Sequence, residues 1–407
     1  MVPLTTPRKL RAHLDSGPPA GDVGGVVVGG DYQGLGIARS LGRQGIPVCV
    51  IDDERSIAGA SRYVQRQLRV SNLRDADATV DALVGAAERW RLQGWVLYPT
   101  REETVAAVAI HQEALGKLFR VPTPGWQSVR TAWDKRETYR LAERLGIPAP
   151  LTWFPRSESE LELVDTSAPV VVKPAIKENF FYTTGAKAWR ANTADQLRAA
   201  YGRAAQVVSE GEILVQEMIP GGGERQFAYC AFFKQGRVIA SMTVQRRRQH
   251  PSDFGRASTF VETIELPELE EPSVRFLRAI DYYGLVELEY KQDPRDGSYR
   301  LLDVNARTWG YHSLGRAAGV DFPYLLFRDQ LGLPVATVRA RPGVRWIRLA
   351  TDLPNAVRDF RAGTARVRDY VRSLRGIDAE AVFSIRDPLP GLLEVALLPY
   401  LAVKRGL

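Results

Sequence analysis

The stretch LLDVNARTWG, residues 301 to 310, places Asp303, Asn305 and Arg307 at alternate positions of a strand-like run. Strand side chains alternate between faces, so these three share one. An acid, an amide and a guanidinium on a half-buried face are costly unless something pairs with them. The upstream run LVELEYKQD and the turn residues of DPRDG predict a partner strand and a hairpin. Glu287 and Glu289 share a face of that partner strand. A register that sets Glu289 opposite Asp303 gathers Glu289, Asp303 and Asn305 as oxygen ligands. Two carboxylates and an amide oxygen suit a hard cation such as Mg²⁺. Arg307 at the strand end would meet a phosphate that the metal carries. Facing carboxylates repel unless a cation separates them, so the pair is tolerable chiefly as a metal site. The competing reading is a surface ladder of salt bridges.

Other candidate groups lie upstream in a consistent order. Lys135 falls in a helix predicted over SVRTAWDKRETYRLAERLGIPAP. Lys173 ends the short buried strand PVVVKPA and must leave the core for solvent or an anion. ENFFYTTGAKAWR, residues 178 to 190, reads as a loop over phosphates that includes Lys187, although it is poor in glycine. ILVQEM is a strand closed by Glu217, and Glu224 opens the next one. Three successive glycines between these acids predict a backbone that bends around a ligand. A strand pair then turns near Gln235 and Gly236.

The elements that position these groups begin at Val23. VGGVVVGGDYQGLGIARSLGRQGIPVCVID reads strand, glycine turn, helix, strand, the opening of a doubly wound α/β domain. Its glycines do not follow the G-x-G-x-x-G spacing, so a nicotinamide or flavin site has little support. Asp52 and Asp53 end the second strand, where a ribose would be held. Glu102 and Glu103 lie at the carboxyl end of the strand in WVLYPT, where open α/β sheets bind ligands. They are candidate substrate contacts, or acids placed for a helix dipole. Residues 1–22 have no periodicity and read as a flexible tail.

Later segments are less specific. In QRRRQHPSDFGRAS, Arg246 and Arg248 share a strand face and are candidates to grip a substrate anion; a solvated charge run is the alternative. His250, in the same run, and His312, just beyond the strand that carries Asp303, are candidate helpers for an amine. The segment from 341 is basic and then apolar. It packs on the core or lies at a membrane interface, and its apolar end is too short to span.

The whole chain sets wider limits. Its 407 residues allow two or three domains with real cores, and 45% hydrophobic and 25% charged content are ordinary for a globular protein. Cys49 and Cys230 both lie in apolar runs, which argues against a disulfide framework and for a reducing cytoplasm. No signal peptide or transmembrane run is evident. The net charge of +8 fits a small anionic ligand, nucleic acid or a membrane surface, and does not choose among them.

Taken together, WDKRETYR, VVVKPA, VQEMIPGGGE, LVELEYK and LLDVNARTWG resemble the ATP-grasp superfamily, and most of all its carboxylate–amine ligase branch, which includes D-aspartate ligase. The resemblance implies an α/β fold: a Rossmann-like (pre-ATP-grasp) domain over 23–125, a two-lobed ATP-grasp region over 126–340, and an extension over 341–407. It implies that Lys135, Lys173 and Lys187 meet phosphates. Glu217 and the backbone of Met218 and Ile219 would read adenine, and Glu224 the ribose. Glu289, Asp303 and Asn305 match the metal ligands, with Asp303 where many members carry Glu. Arg307 and Lys173 would serve the transferred phosphate. The implied cofactors are ATP with Mg²⁺ or Mn²⁺, and the implied partners are a small carboxylate and an amine, with no nucleic acid. The implied reaction forms an amide through an acylphosphate and releases ADP and phosphate under a closed lid. The competing readings are a nicotinamide-linked oxidoreductase built on the N-terminal domain, and a non-catalytic nucleotide- or membrane-binding protein.

Overall fold

Strands buried on both faces read as continuous apolar runs, and VVV at the first strand, Gly25–Val28, is such a run. It is central in a four-stranded parallel sheet ordered Arg66–Arg69, Val48–Asp52, Gly25–Val28, Val96–Pro99. The computed structural model describes residues 23–250 and 257–405. The expected tail, 1–22, and part of the arginine-rich turn, 251–256, lie outside the described residues.

The glycine turn after the first strand is closed by the protein's own groups. Gly29 has φ +100°, a conformation that favours glycine, and a Cβ there would lie 2.3 Å from the Thr100 hydroxyl. The Gly30 N–H donates to Asp52 at 2.9 Å. Arg101 bridges Asp52 and Asp53 at 2.6 Å each. The acids that a nicotinamide ribose would need are therefore already held by a guanidinium.

The helix expected around Lys135 is two helices, Trp126–Trp133 and Lys135–Arg144. Asp134 separates them in extended conformation, and its carboxylate caps the second by accepting the Arg136 N–H at 3.0 Å.

A small antiparallel sheet follows, ordered Thr152–Trp153, Ile213–Glu217, Val170–Pro174, Trp189–Ala191. Val172, Phe180, Tyr201 and Val215 form its core. The large sheet has eight strands. Tyr299–Asn305 lies at one edge, followed by Gly284–Gln292, Gln226–Lys234, Arg237–His250 and Ala257–Thr263. Arg345–Ile347 and Ala379–Glu380 continue it, and Val338–Arg339 pairs beside Arg237–His250. The segment from 341 thus supplies strands to the same sheet as the hairpin.

The helix Leu389–Arg405 then packs back on the body. Glu394 accepts from Arg348 at 2.7 Å, with the two residues 1% and 5% exposed. Arg348 also lies 4.1 Å from the ring centroid of Tyr32. Just before this helix, Asp387 takes the Arg39 guanidinium at 2.9 Å and the Ser61 hydroxyl at 2.7 Å. These contacts answer the open question about this segment for its buried face. No helix among the described residues is long and apolar enough to cross a membrane.

His312 does not reach a substrate cavity. It is 2% exposed and packs where a Cβ on Gly36 would stand 2.6 Å from its Nε2. Its Nδ1–H donates to the Trp309 carbonyl at 2.9 Å. Burial lowers its pKa to about 4, against the Trp309 hydrogen bond and the charge of Asp31, which raise it.

Two outcomes are expected. Glu394→Ala strands a buried guanidinium and should lower the urea-measured unfolding free energy by about 3 kcal/mol, and removal of everything after Arg386, which also strands Arg39, should lower it further. A buried neutral histidine stabilises the fold above its unfolded pKa of about 6.5, and that contribution is lost as pH falls toward 4. Unfolding at pH 7 and pH 4 should therefore show a difference about 3 kcal/mol smaller in His312→Asn than in the parent.

Candidate functional site

Two cavities meet at the hairpin. One, of about 200 Å³, lies between the small lobe and the large sheet and is lined by Lys135, Lys173, Glu217, Met218, Ile219 and Lys291. The other, of about 260 Å³, opens toward the parallel sheet and is lined by Tyr32, Glu102, Glu103, Glu287, Arg307 and Tyr311. Lys187, Arg246, Glu289 and Asp303 line both.

The hairpin builds this junction. Glu289 pairs with Asp303 and Glu287 with Asn305, and the register shifts only beyond Glu289. The acids therefore share the face that alternation requires. The Asn305 amide donates to Glu287 and Glu289 at 3.0 Å each. The facing carboxylates, expected to be tolerable chiefly as a metal site, are each met by a cation of the protein itself. Lys135 donates to Asp303 at 2.7 Å, and Arg246 to Glu289 at 3.0 Å. Both cations come from other segments. Burial is the largest influence on Lys135 and opposes its charge, but Asp303, with Tyr139 and Glu102, raises its pKa overall. Burial is also the largest influence on Glu289 and opposes its charge, but Arg246, Lys187 and the Asn305 hydrogen bond together lower its pKa. Glu287 forms no ion pair among the described residues, and the charges of Arg246 and Arg307 only partly offset its burial. Burial and the charge of Glu289 push it up to about 7, while Tyr311 donates a hydrogen bond to it.

Arg307 reaches the junction from the strand end. It pairs with Glu102 at 2.7 Å and donates to the side-chain amide oxygen of Asn305, Oδ1, at 3.2 Å. Glu102 comes from the start of the helix Glu102–Ile110, so the parallel sheet and the hairpin share one ion pair. Lys173 donates to Gln216 at 2.7 Å and to the Tyr139 hydroxyl at 2.8 Å, which aims its ammonium along the first cavity.

The loop expected over 178–190 is mostly a helix, Lys177–Thr184, ended by Gly185 at φ +69°. Thr184 spends its hydroxyl on the Phe180 carbonyl at 2.7 Å, so it closes the helix instead of facing a phosphate. Phe181 and Tyr182 of this helix line the second cavity. The Tyr182 hydroxyl donates to Glu103, and Arg74 stacks 3.6 Å from its ring centroid. The small lobe is thereby fastened to the parallel sheet across the mouth of that cavity.

Other expected contacts are not brought in. Glu224 folds back to accept the Gly222 N–H at 3.1 Å and does not line the first cavity. Arg248 is diverted by a register shift in its strand and is bound by both oxygens of Asp352, at 2.8 and 2.9 Å. His250 is buried against Asn355. Glu217 lines the first cavity, but its carboxylate also accepts the Leu151 N–H and Arg295, each at 2.9 Å. Lys291 and Tyr311 were not singled out from sequence. Lys291 stands in the quoted LVELEYK, where a strand-end lysine reads as surface. Tyr311 follows the hairpin with no local signal.

Comparison with known proteins agrees with this architecture. Residues 210–351 match the family described as ATP-grasp in the biosynthetic pathway with Ter operon. A D-aspartate ligase of Enterococcus faecium (strain Aus0004) is 24% identical over 301 residues, 69% of this chain and 70% of that one. The L-amino acid ligase of Bacillus licheniformis shares the fold with a TM-score of 0.58 at 17% identity, over 76% of this chain and 74% of the other. The biotin carboxylase domain of the Hydrogenobacter thermophilus 2-oxoglutarate carboxylase, solved with MgADP and bicarbonate, has a TM-score of 0.62 at 16% identity, over 79% and 73%. The chain is thus similar to ATP-grasp proteins, in sequence over residues 210–351 and in fold over about three-quarters of its length. ATP with Mg²⁺ is the cofactor pair at the level of that family.

If Lys135 and Lys173 meet phosphates, Lys135→Ala and Lys173→Ala should weaken ATP by roughly tenfold to a hundredfold and leave adenosine nearly unchanged. Calorimetric titration with both ligands checks this. Equal losses would make the lysines supports of the fold.

Proposed function

We propose that the chain joins a small carboxylate to an amine through an acylphosphate, with ATP in the first cavity and the two other substrates in the second. The observation that carries this reading is that the cavities meet at Lys187, Arg246, Glu289 and Asp303. A γ-phosphate entering from one side and a carboxylate from the other would come together there. A carboxylate oxygen bonds to the γ-phosphorus and ADP leaves. The amine nitrogen then bonds to the acyl carbon, phosphate leaves, and the nitrogen gives up a proton. Positioning and charge do most of this work.

The donor set fits Mg²⁺ or Mn²⁺. Glu289, Asp303 and the carbonyl of Asn305 offer hard oxygens. Among the described residues no three His, Cys, Asp or Glu side chains form a cage of their own, which leaves positions for phosphate oxygens, the usual setting of Mg²⁺. The metal would neutralise phosphate charge. Lys135 and Arg246, relieved of their carboxylates, would be available to phosphate and to the substrate anion. Arg307, held by Glu102, would face the transferred group. Met218 spends its N–H on the Pro169 carbonyl at 3.0 Å, so it would offer adenine only its carbonyl, and Ile219 its N–H. The Tyr182 contact with Glu103 and Arg74 would keep water from a hydrolysable intermediate.

The second cavity carries acids near Glu102 and Glu103 and cations near Arg246 and Arg307, a lining that suits a zwitterion. With the names of the two ligase relatives, this supports an amino acid as one substrate. The two buried free thiols, Cys49 and Cys230, support a reducing cytoplasmic setting.

The test is ADP release with ATP, Mg²⁺ and a panel of amino acids and other carboxylates, with the amide identified by mass. Asp303→Asn should lower turnover by about a hundredfold or more. It also removes the charge partner of Lys135, so stability should fall. Undiminished Mg²⁺-dependent ADP release from this variant would overturn the metal assignment.

A further inference from the structure

We propose that Lys291 is a positioning residue that fixes the backbone meant to read the nucleobase; this rests on the first cavity being the ATP site. Lys291 lies on the strand Gly284–Gln292, paired with Gln226 at the start of the next strand, directly behind the glycine turn. It is 9% exposed. Its ammonium donates to the Ile219 carbonyl at 2.8 Å and to the Gly221 carbonyl at 2.7 Å.

A buried ammonium is costly unless its protons are satisfied, so two carbonyls from one turn are strong acceptors for it. The same bonds constrain the turn. Residues 221 to 223 are all glycine and have little conformational preference of their own. Gly221 sits at φ +88°. Pro220 has no N–H with which to build a local ladder. On one side the Met218 N–H is tied to Pro169. On the other, Lys291 holds the carbonyls of Ile219 and Gly221. These ties set which polar groups of Met218 and Ile219 face the cavity. Lys291 therefore acts on the base through the backbone, whereas Lys135 and Lys173 are assigned to phosphate.

Calorimetric binding of adenosine, ADP and inorganic triphosphate to the full chain tests the idea. Lys291→Met should weaken adenosine and ADP by the same factor, about tenfold, and leave triphosphate within about twofold. Gly221→Ala, which strains the same turn at positive φ, should give the same pattern and serves if Lys291→Met fails to fold. Lys291→Arg, which keeps donors in place, should recover part of the adenosine affinity, which a general loss of stability would not predict. A loss for ADP and triphosphate without a loss for adenosine would make Lys291 a direct phosphate contact and overturn the proposal. Unchanged binding of all three would overturn it as well. A parent protein that binds none of them would instead remove the ATP-site reading beneath it.

Discussion

Glu289 and Asp303 face each other across one rung of a hairpin, and most of the surrounding structure answers that juxtaposition. Two carboxylates at cross-strand distance destabilise a bare sheet. Here one is met by Lys135 from a helix start and the other by Arg246, from the strand beyond Gln226–Lys234. Each cation is itself buried and needs its acid. The hairpin, the helix Lys135–Arg144 and the strand Arg237–His250 are thus bound into one electrostatic unit. A metal–phosphate group entering there would compete with cations already present, which couples ligand binding to the placement of Lys135 and Arg246.

A second set of buried ion pairs fastens the outer parts to this unit. Arg307 to Glu102 joins the hairpin to the parallel sheet. Arg348 to Glu394 joins the C-terminal helix to the end of the large-sheet strand Arg345–Ile347, beside Tyr32 on the cavity wall, and Arg39 to Asp387 joins the turn before it to the helix Tyr32–Gly42. Such pairs contribute modest net stability, but breaking one leaves an uncompensated charge. They favour a single arrangement of the segments, as a site assembled from many segments requires. The C-terminal segment, which has no motif of its own, therefore holds up part of the second cavity.

Fixed backbone contacts act alongside these charges. Asp134 breaks what reads as one helix so that Lys135 opens a new one, with its side chain directed at the hairpin. Arg101 occupies the acids at the end of the parallel strands that the ribose of a dinucleotide would use. The small lobe reaches across to Glu103 and Arg74 through Tyr182. The second cavity is consequently bounded by all three sheets.

Local patterns were legible in the sequence because their physics is local. Alternation put Asp303, Asn305 and Arg307 on one face, the Asp-Pro and Asp-Gly residues marked the hairpin, and VVV before a glycine turn marked the first parallel strand. Lys135, Lys173, Met218, Ile219, Glu289 and Asp303 are accordingly found around the two cavities. What alternation could not show was which charge meets which. Lys135 and Asp303 are 168 residues apart, and Arg246 and Glu289 are 43 apart. A register shift decided that Arg246 reaches the junction while Arg248 goes to Asp352. The turn toward Gly222 took Glu224 out of the cavity, close packing at Gly36 took His312 into the core, and two carbonyls drew Lys291 beneath the turn. A charge is placed by the partner that repays its desolvation, and that partner is chosen by the folded chain, not by its neighbours in sequence.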